Sequence, residues 1–600
     1  MILQALCTLC DRENLLGDDP HYQLKRVPWI IQVGRNGEFS GMIDNRTVVT
    51  IPSKTKHGKS RVLIRSRYRW VPREPERTSG DYAFFLCDTT EYLFGADAPA
   101  KKGGGRGSDK LQNRRNLFYE KVLQCFKATH DEGLNSLLRL LDPVASGHTR
   151  VRLEEECDAS DLITFTYAPD VDQLIGDRPA IREYWAACRQ KEMQEQPVVQ
   201  CLVTGDRCNA APKHPMLKKV PGGTTSGVAL VSFNSNAFES YGFAGSENAP
   251  ISWIAADKCA TAMNRLLDPD APNPANADES LPQRSYRIGG DTVVCFWAIS
   301  DAAQEFCNQF APILEANPDD VKETYRSIWT GHAPTDLDAS AFYALTLSGT
   351  QGRAIVRDWF ESTVEDVAAH IANYFADLRI VRNTPKPKDH DLPPQLSLTT
   401  LLRSLAPQGK ADQIPPHVAA QMVGAALSGT RYPMTVLHRA IERMRAEIGN
   451  AEWEDFMRRD ARAALTKAVL IRNFNLEVKS EMDTNNKEPG YLLGRLLAVI
   501  ERAQQIALGD VNTTVIDRYF SGASATPGSV FPRLLKNMRH HISKARDGER
   551  GGLAVWLDRQ ADEIMVDVTG FPAFLPIEQQ GLFILGYHHQ RHKLWQKREE

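Results

Sequence analysis

The 600-residue sequence lacks both an overall basic charge and long apolar runs. Seventy-two Lys and Arg against 75 Asp and Glu give a net charge of -3, which excludes a uniformly basic protein of the histone kind. No stretch approaches the ~20 apolar residues of a membrane-spanning helix. The opening MILQALCTLCDREN has no basic leader followed by a long apolar core. We therefore predict a soluble, cytoplasmic protein without a signal peptide and without a membrane partner.

Cysteine is sparse, and its count of 11 is odd, which suits reduced thiols better than a disulfide framework. Cys7 and Cys10 form one C-x-x-C pair, while Cys201 and Cys208 precede His214, so a composite zinc site is one interpretation. Buried thiols are the favoured alternative, because no second closely spaced pair completes a ligand set. We expect no metal and no other cofactor.

The motifs of common enzyme classes are also missing. The patterns G-x-S-x-G and H-E-x-x-H and the kinase set do not occur, and the segment GGGRGSDK does not have the spacing of a phosphate-binding loop. Three histidines near the end have no carboxylate close to them in sequence, which favours packing or phosphate-facing roles: His588, His589 and His592. These absences argue against an enzyme.

What is present is an ordinary globular composition, 42% hydrophobic and 24% charged, in a chain long enough for two to four domains. Up to about residue 380, short β-like runs are mixed with helical patterns. Strands are predicted at 61–70, 227–234 and 289–298, and helices at 116–141 and 364–380. The predicted fold class is α+β.

A proline-rich segment predicts the main domain boundary. NTPKPKDHDLPPQ carries four prolines in thirteen residues and has almost no apolar content. We predict a linker at 383–396 between a mixed α/β N-terminal domain, 1–382, and an all-α C-terminal bundle, 397–600. In the bundle, apolar residues at i, i+3 and i+4 predict five or more consecutive helices.

Three basic clusters lie inside this chain of net negative charge. Residues 54–77 hold nine Lys or Arg and two acids, a local charge of +7; residues 101–115 carry +5 around a glycine-rich loop; residues 533–546 carry +5 without an acid. Such runs are often only solvated surface. Three of them together favour sequence-independent binding to nucleic-acid phosphates.

Local spacing places several cations of these clusters together. Arg65, Arg67 and Arg69 share one face of the predicted strand and can bind either a backbone or a neighbouring protein. Lys536 and Arg539 share one helical face, and apolar residues form the opposite face: Leu534, Leu535, Met538 and Ile542. The candidates for DNA or RNA backbone contact are Arg65, Arg67, Arg69, Lys110, Arg114 and Arg115.

Particular strings of the sequence resemble one known family. They are MILQAL at the start, FLCDTTEYLFG (85–95), CLVTGDRCNAAPKHPMLKKV (201–220), SFNSNAFESYG (232–242), RYFSGASATPGSVFPRLL (518–535) and FPAFLPIEQQGLFILGYHHQR (571–591). They resemble the Csd-one family, the large subunit (Cas-eight-c) of the type I-C CRISPR interference complex Cascade. The matches follow the family's order and cover nearly the whole chain.

The resemblance implies a non-catalytic subunit in antiviral defence. It implies recognition of the protospacer-adjacent motif (PAM) in duplex DNA, help in opening the duplex during R-loop formation, and presentation of the displaced strand. The implied partners are the 5′ handle of the CRISPR RNA, target double-stranded DNA, Cas-five and Cas-seven type subunits, a small subunit, and a helicase-nuclease recruited after R-loop formation. The C-terminal bundle resembles the family's small subunit.

Within that frame, the first PAM candidates are Asn234, Ser235 and Asn236, because Asn donates to and accepts from exposed groove atoms. The alternative is that Asn234 and Ser235 only cap a following helix. The glycine-rich loop supplies further candidates for duplex or handle contact: Lys101, Lys102 and Arg106.

The displaced-strand candidates are Arg518, Arg533, Lys536, Arg539 and Lys544. Met482 is a possible internal translation start that would give a 119-residue small subunit, with Met434 and Met457 as alternatives. Two other functions compete with this interpretation: a metal-dependent nuclease acting on nucleic acid, and a helical scaffold that binds no nucleic acid.

Overall fold

The chain folds into two compact units. A computed structural model describes residues 1–51, 61–75, 77, 80–95, 108–142, 151, 153–288, 290–300, 303, 306–308, 310, 341–386, 392, 395–509, 511–548 and 550–595. The first unit comprises Met1–Lys219 and Thr225–Gln283, and the second comprises Val220–Thr224 and Arg284–Glu600. Most of the strands lie in the first unit and most of the helices in the second, so the predicted α+β class is confirmed.

The first unit combines helices with small sheets. Its helices are α1 (Ile2–Arg12), α2 (Thr90–Phe94), α3 (Ser108–Thr129), α4 (Glu132–Leu141), α5 (Pro179–Gln194) and α6 (Trp253–Leu267). Its strands are β1 (Tyr22–Arg26), β2 (Trp29–Val33), β3 (Phe39–Asp44), β4 (Arg46–Ile51), β5 (Arg61–Ser66), β6 (Tyr68–Pro72), β7 (Asp88–Thr89), β8 (Leu162–Tyr167), β9 (Asp170–Leu174), β10 (Val198–Gln200), β11 (Arg207–Asn209), β12 (Pro272–Asn273) and β13 (Asn276–Ser280).

The main sheet of this unit has the strand order β3-β2-β8-β7, with β9 also paired to β8. β2 and β8 run parallel, and the other neighbours run antiparallel. Ile31 of β2 and Phe165 of β8 are fully buried in the same core as Leu134 and Leu137 of α4. The leucine spacing of α4 gives that helix one apolar face, which explains its burial in this core.

Two predicted elements of the first unit differ from the structure. The run at 61–70 is divided at Arg67, because β5 pairs with β4 whereas β6 pairs with β1. The strand predicted at 227–234 is wrong, since that segment forms only isolated bridges, among them Leu217↔Val228. The helical pattern at 116–141 is confirmed but is interrupted at His130, which has a φ of 53° between α3 and α4.

The second unit contains a four-stranded sheet and most of the helices. Its strands are β14 (Ser285–Ile288), β15 (Thr292–Ala298), β16 (Ala341–Thr350) and β17 (Arg353–Thr363). Its helices are α7 (Val364–Leu378), α8 (Leu398–Ser404), α9 (Pro416–Ser428), α10 (Met434–Glu447), α11 (Trp453–Phe474), α12 (Pro489–Leu508), α13 (Val515–Ala525), α14 (Pro527–Arg546), α15 (Gly551–Met565) and α16 (Ile577–Trp595). The predicted helices at 364–380 and along the C-terminal part are confirmed.

The sheet of the second unit is an antiparallel meander in the order β14-β15-β16-β17. Every residue of β15 is buried, as its β-branched and aromatic sequence TVVCFWA predicts. This strand confirms the one predicted at 289–298. Segment 220–224 belongs to this unit because Gly349 donates a backbone hydrogen bond to Pro221 and Gly223 forms a bridge with Gln351.

Of the proline-rich segment predicted as a linker, 383–396, residues 387–391, 393 and 394 lie outside the described residues, and the described ones belong to the second unit. Residues before it, such as Tyr374, and residues after it, such as Leu401, are buried in one core. The compact units therefore divide near residues 283 and 284 rather than at the prolines. The assignment of separate roles to 1–382 and 397–600 stays a prediction.

Helices α12 and α16 approach each other so closely that only glycine fits between them. A Cβ built on Gly494 would lie 2.0 Å from the carbonyl oxygen of Phe583, and one built on Gly586 would lie 2.0 Å from that of Tyr491. The two backbones are thus in direct contact. Within the described residues, no helix is long and apolar enough to cross a membrane.

A buried polar network ties the proline-rich segment to α11 and α16. The carboxylate of Asp460 accepts hydrogen bonds from the backbone N–H groups of Asn383 and Thr384, at 2.9 and 3.1 Å. The ring of His588 donates from Nε2 to the carbonyl of Val381 and accepts at Nδ1 from the Asn383 amide. This pairing requires the neutral imidazole, and burial lowers the pKa of His588.

Candidate nucleic-acid interface

Helix α14 presents an exposed basic face in the second unit. Phe531, Leu534, Met538 and Ile542 are buried, and Leu535 packs partly buried against the same core. The opposite side carries exposed side chains of one charge sign: Arg533, Lys536, Arg539 and Lys544. The amphipathic arrangement predicted for this helix is therefore present.

None of these four cations, nor Arg518 on α13, forms an ion pair within the part of the chain that the structure describes. Arg518 is also exposed, and Arg533 lies with its guanidinium 6.0 Å from the centre of the Tyr519 ring. From Arg533 to Lys544 the face extends about 16 Å, at ~1.5 Å rise per residue. Uncompensated cations along a rigid helix can contact successive phosphates.

In the first unit, Asn234, Ser235 and Asn236 lie exposed on a loop. Ser235 stands at the N-terminus of a short 3-10 turn, Asn236–Phe238, but makes no side-chain capping hydrogen bond. The capping alternative is thus not observed for Ser235. The loop presents amide and hydroxyl groups of the kind that contact base edges.

Sequence reasoning missed three exposed aromatic residues that follow these polar ones. Phe238, Tyr241 and Phe243 are 40%, 97% and 51% exposed. Tyr241 and Gly242 both have positive φ, 56° and 79°, and the N–H of Phe243 donates to the carbonyl of Ser240, which defines a tight turn with the tyrosine at its tip. The sequence string SYGF could have indicated this turn, because its glycine readily adopts the positive φ that the turn requires after Tyr241.

Hydrogen bonds hold this aromatic turn in place. The side chain of Asn248 accepts from the N–H of Ser240 at 2.8 Å and donates to the carbonyls of Phe243 and Gly245 at 3.0 Å. The carboxylate of Glu239 accepts from the N–H of Gly245. A fixed turn with exposed rings is suited to stacking on nucleobases.

The arginines of the first basic cluster are partly neutralised by acids. Arg65 pairs with Asp270 at 2.8 Å, and Arg67 lies 3.7 Å from Asp278. Burial lowers the pKa of the half-buried Arg69 guanidinium, which donates to the Tyr68 carbonyl. The sequence could not indicate these partners, because Asp270 lies 205 residues from Arg65.

The second cluster also contains both exposed and internal charges. Lys110 is exposed, 4.0 Å from Asp81, whereas Arg114 is buried and pairs with Asp81 and Glu91. Arg115 donates to the carbonyl of Leu141 at 2.5 Å. The charge of Arg114 is therefore neutralised by acids inside the fold. Lys101, Lys102 and Arg106 lie outside the described residues.

The possible internal start, Met482, lies in the loop between α11 and α12. The helices that follow it are α12 to α16, and α12 contacts each of the other four. The last of them, α16, also packs against α10 and α11. A product that begins at Met482 would contain α12 to α16 but would lack α10 and α11, against which α16 packs.

Cys7 of α1 and Cys259 of α6 lie side by side in the first unit. The sulfurs of Cys7 and Cys259 are 3.5 Å apart, and Cys10 and Cys201 are buried. Burial raises the pKa of Cys201, but backbone N–H donors outweigh this effect and lower it to about 7. Among the residues described, no three His, Cys, Asp or Glu side chains are arranged to hold a metal ion.

The C-terminal histidines have different environments. His588 and His589 are buried, and Nδ1 of His589 lies 3.0 Å from the hydroxyl of Tyr491. Nδ1 of His592 contacts the carbonyl of Arg382 at 3.0 Å. Of the two roles that the sequence left open, the structure supports packing for His588 and His589.

The described residues thus combine an α+β fold with an unpaired basic helix face and an exposed loop of amide and aromatic side chains. The family model described as CRISPR-associated protein (Cas_Csd1) matches residues 9–595, so the chain belongs to this family, which supplies a subunit of the CRISPR Cascade complex. The resemblance of the sequence strings is thereby confirmed. A search of curated proteins found no match.

Proposed function

We propose that this chain is the non-catalytic large subunit of the type I-C Cascade complex. It binds target double-stranded DNA, recognises the PAM, and promotes duplex opening and R-loop formation. It then holds the displaced strand and helps to recruit the helicase-nuclease. Family membership supports the assignment to Cascade, and the charge distribution supports the contacts with DNA.

The observation that carries the proposal is the outer face of α14. Lys536, Arg539 and Lys544 are exposed on a helix whose other side is fixed in the core, and no acid within the described chain pairs with them. Maintaining unpaired cations at fixed spacing favours a polyanion as their partner. In our proposal that polyanion is the displaced DNA strand.

The loop around Asn236 is our proposed PAM-contacting element. Its amides donate to and accept from groove atoms, and the neighbouring ring of Tyr241 supplies a stacking surface. The glycine-rich loop with Lys101 is assigned to the same duplex or to the CRISPR RNA handle. Lys110 and the less exposed Arg65 are assigned to backbone contact.

The test compares assembled complexes with and without this chain. Binding to a PAM-containing duplex, and reactivity of displaced thymines toward permanganate, measure association and duplex opening separately. We expect both signals to require the chain. A complex without it that still opens PAM-containing duplexes would contradict the proposal, as would metal-dependent DNA cleavage by the chain alone, which would instead indicate the nuclease.

A further inference from the structure

A groove of about 560 Å³ lies between helices α10 and α13 and the start of α16, apart from the basic face of α14. Its wall includes Ile441 and Arg445 of α10, Ser521 of α13 and Gln580 of α16. Its volume falls in the range of small-molecule sites in proteins. Charged and amide side chains line the groove together with apolar ones: Arg443, Arg445 and Gln580, and Ile441 and Ile577.

Arg445 is half-buried in this groove, and its hydrogen-bond partners are neutral. Its Nε donates to the Ser524 hydroxyl at 2.8 Å, and one terminal nitrogen donates to the Gln580 side-chain oxygen at 2.9 Å. These bonds fix the guanidinium plane but leave its charge uncompensated. A partly desolvated charge without a counter-ion is costly to the fold.

This arrangement differs from that of the other desolvated arginines. Burial lowers the pKa of Arg445, and no acidic group among the described residues offsets the effect. For the other described arginines whose pKa is lowered by burial, at least one carboxylate acts in the opposite direction: Arg69, Arg73, Arg382, Arg459, Arg462, Arg495 and Arg502.

The acid among the groove's lining residues, Glu442, already has another partner. Glu442 pairs at 2.7 Å with Arg443, which also lies 3.5 Å from Glu447. Glu442 is therefore engaged by Arg443. Of the two arginines in the groove, Arg443 is paired with carboxylates and Arg445 is not. An anionic group would therefore interact favourably with Arg445.

The groove is close in the fold to the proposed path of the displaced strand. Ser521 lies one helical turn after the exposed Arg518 on α13, and Arg533 of α14 approaches the neighbouring Tyr519. Side chains three apart on a helix are neighbours. Arg518 is thus a neighbour of Ser521, which lines the groove.

We propose that Arg445 binds a backbone phosphate of single-stranded DNA in this groove, with the Ser521 hydroxyl as a second donor. The inference rests on the proposed function, because it extends the displaced-strand path from α14 over Arg518 to α10. Guanidinium is suited to phosphate because its planar fork can donate two parallel hydrogen bonds.

The experiment measures binding of a fluorescein-labelled 15-nucleotide oligo(dT) to the full chain at several salt concentrations. We expect Arg445→Gln to weaken binding about tenfold and to reduce the log–log salt slope by about 0.7. The matched control is Arg443→Gln in the same groove, which we expect to change affinity less than threefold. Ser521→Glu, at an exposed position, places a carboxylate beside Arg445 and should weaken binding even if Arg445→Gln disturbs folding.

Equal effects of Arg445→Gln and Arg443→Gln, or unchanged binding by Ser521→Glu, would overturn the inference. A double variant Lys536→Gln/Arg539→Gln separates this failure from failure of the proposed function. If the double variant loses affinity and Arg445→Gln does not, only the groove assignment is wrong. If the unsubstituted chain does not bind oligo(dT), the groove assignment and the proposed displaced-strand role both fall.

Discussion

His588 and His589 show how burial fixes a protonation state in the second unit. Both rings are buried on α16, and the polar network around His588 requires its neutral form. Burial lowers the pKa of both histidines, and for His589 by a large amount. Protonation therefore favours the unfolded chain, in which histidine has its ordinary pKa of about 6.5.

The first prediction concerns stability against pH. Because the unfolded state binds more protons at these positions, their contribution to stability is complete above about pH 6.5 and decreases as the pH falls below it. His589→Gln retains a hydrogen-bonding group for Tyr491 but does not titrate. We expect its melting temperature to fall less than that of the unsubstituted chain between pH 7.5 and 5.5. If the melting temperatures of the two proteins fall equally with pH, the assignment of a lowered pKa to His589 is contradicted.

At the scale of elements, the packing of α12 against α16 depends on glycine. A Cβ at Gly494 or Gly586 meets a backbone oxygen at 2.0 Å, which no rotamer change can relieve. Carbonyl oxygens, unlike flexible side chains, can move only if the helices separate. The second prediction is that Gly494→Ala lowers the unfolding free energy by about 1 to 3 kcal/mol, despite the better helix propensity of alanine.

The measurement is urea unfolding followed by circular dichroism. Gly552→Ala is the matched control, because no atom lies within 4 Å of a Cβ built on Gly552 in α15. We expect the control to be unchanged or slightly more stable. If the two variants unfold at the same urea concentration, the close approach of the backbones does not limit packing.

The third prediction concerns the basic face of α14. Removing one phosphate-binding cation should reduce the log–log salt slope by about 0.7 on single strands and weaken binding to all sequences about equally. We expect Lys536→Gln and Arg539→Gln to do so in oligo(dT) titrations. Arg546→Gln serves as the control, because Arg546 already pairs with Asp558. An equal change in slope for the control would show that net charge, rather than position on the helix, governs binding.

Long periodic segments were predictable from sequence, whereas long-range partners were not. Helices α9 to α12 and α14 follow from apolar spacing and stop signals such as Gly429, which has a φ of 67° at the end of α9. The basic face of α14 follows from the same spacing. The ion pair between Arg65 and Asp270 depends on tertiary structure, and so does the position of the compact-unit boundary. The failed strand at 227–234 shows that a short β-branched run needs a partner strand.

At the scale of the whole molecule, the proposed contacts with nucleic acid are distributed over both units. The loop around Asn236 and the described residues of the basic clusters at 54–77 and 101–115 belong to the first unit, whereas α14 and Arg445 belong to the second. The net charge of -3 thus conceals local basic surfaces. We propose that acids elsewhere on the chain contribute to binding of other Cascade subunits.

The fourth prediction concerns the possible internal start at Met482. Helices α13 to α16 all pack against α12, so we expect residues 482–600 expressed alone to be helical and to unfold cooperatively. Mass spectrometry of the purified complex should find a 119-residue product that disappears in Met482→Leu. A C-terminal product that persists in this variant would instead favour Met434 or Met457, and the absence of any C-terminal product would remove the idea.

The central claim is that this chain distinguishes the PAM through one unit and holds DNA by charge through the other. Binding of assembled complexes to duplexes with and without the PAM tests it most directly. We predict that Asn236→Ala costs about 1 to 3 kcal/mol on the PAM-containing duplex only, whereas Lys536→Gln weakens binding to both duplexes equally. If Asn236→Ala, and likewise Lys101→Ala, weaken binding to both duplexes to the same extent, the assignment of PAM recognition to these residues is contradicted.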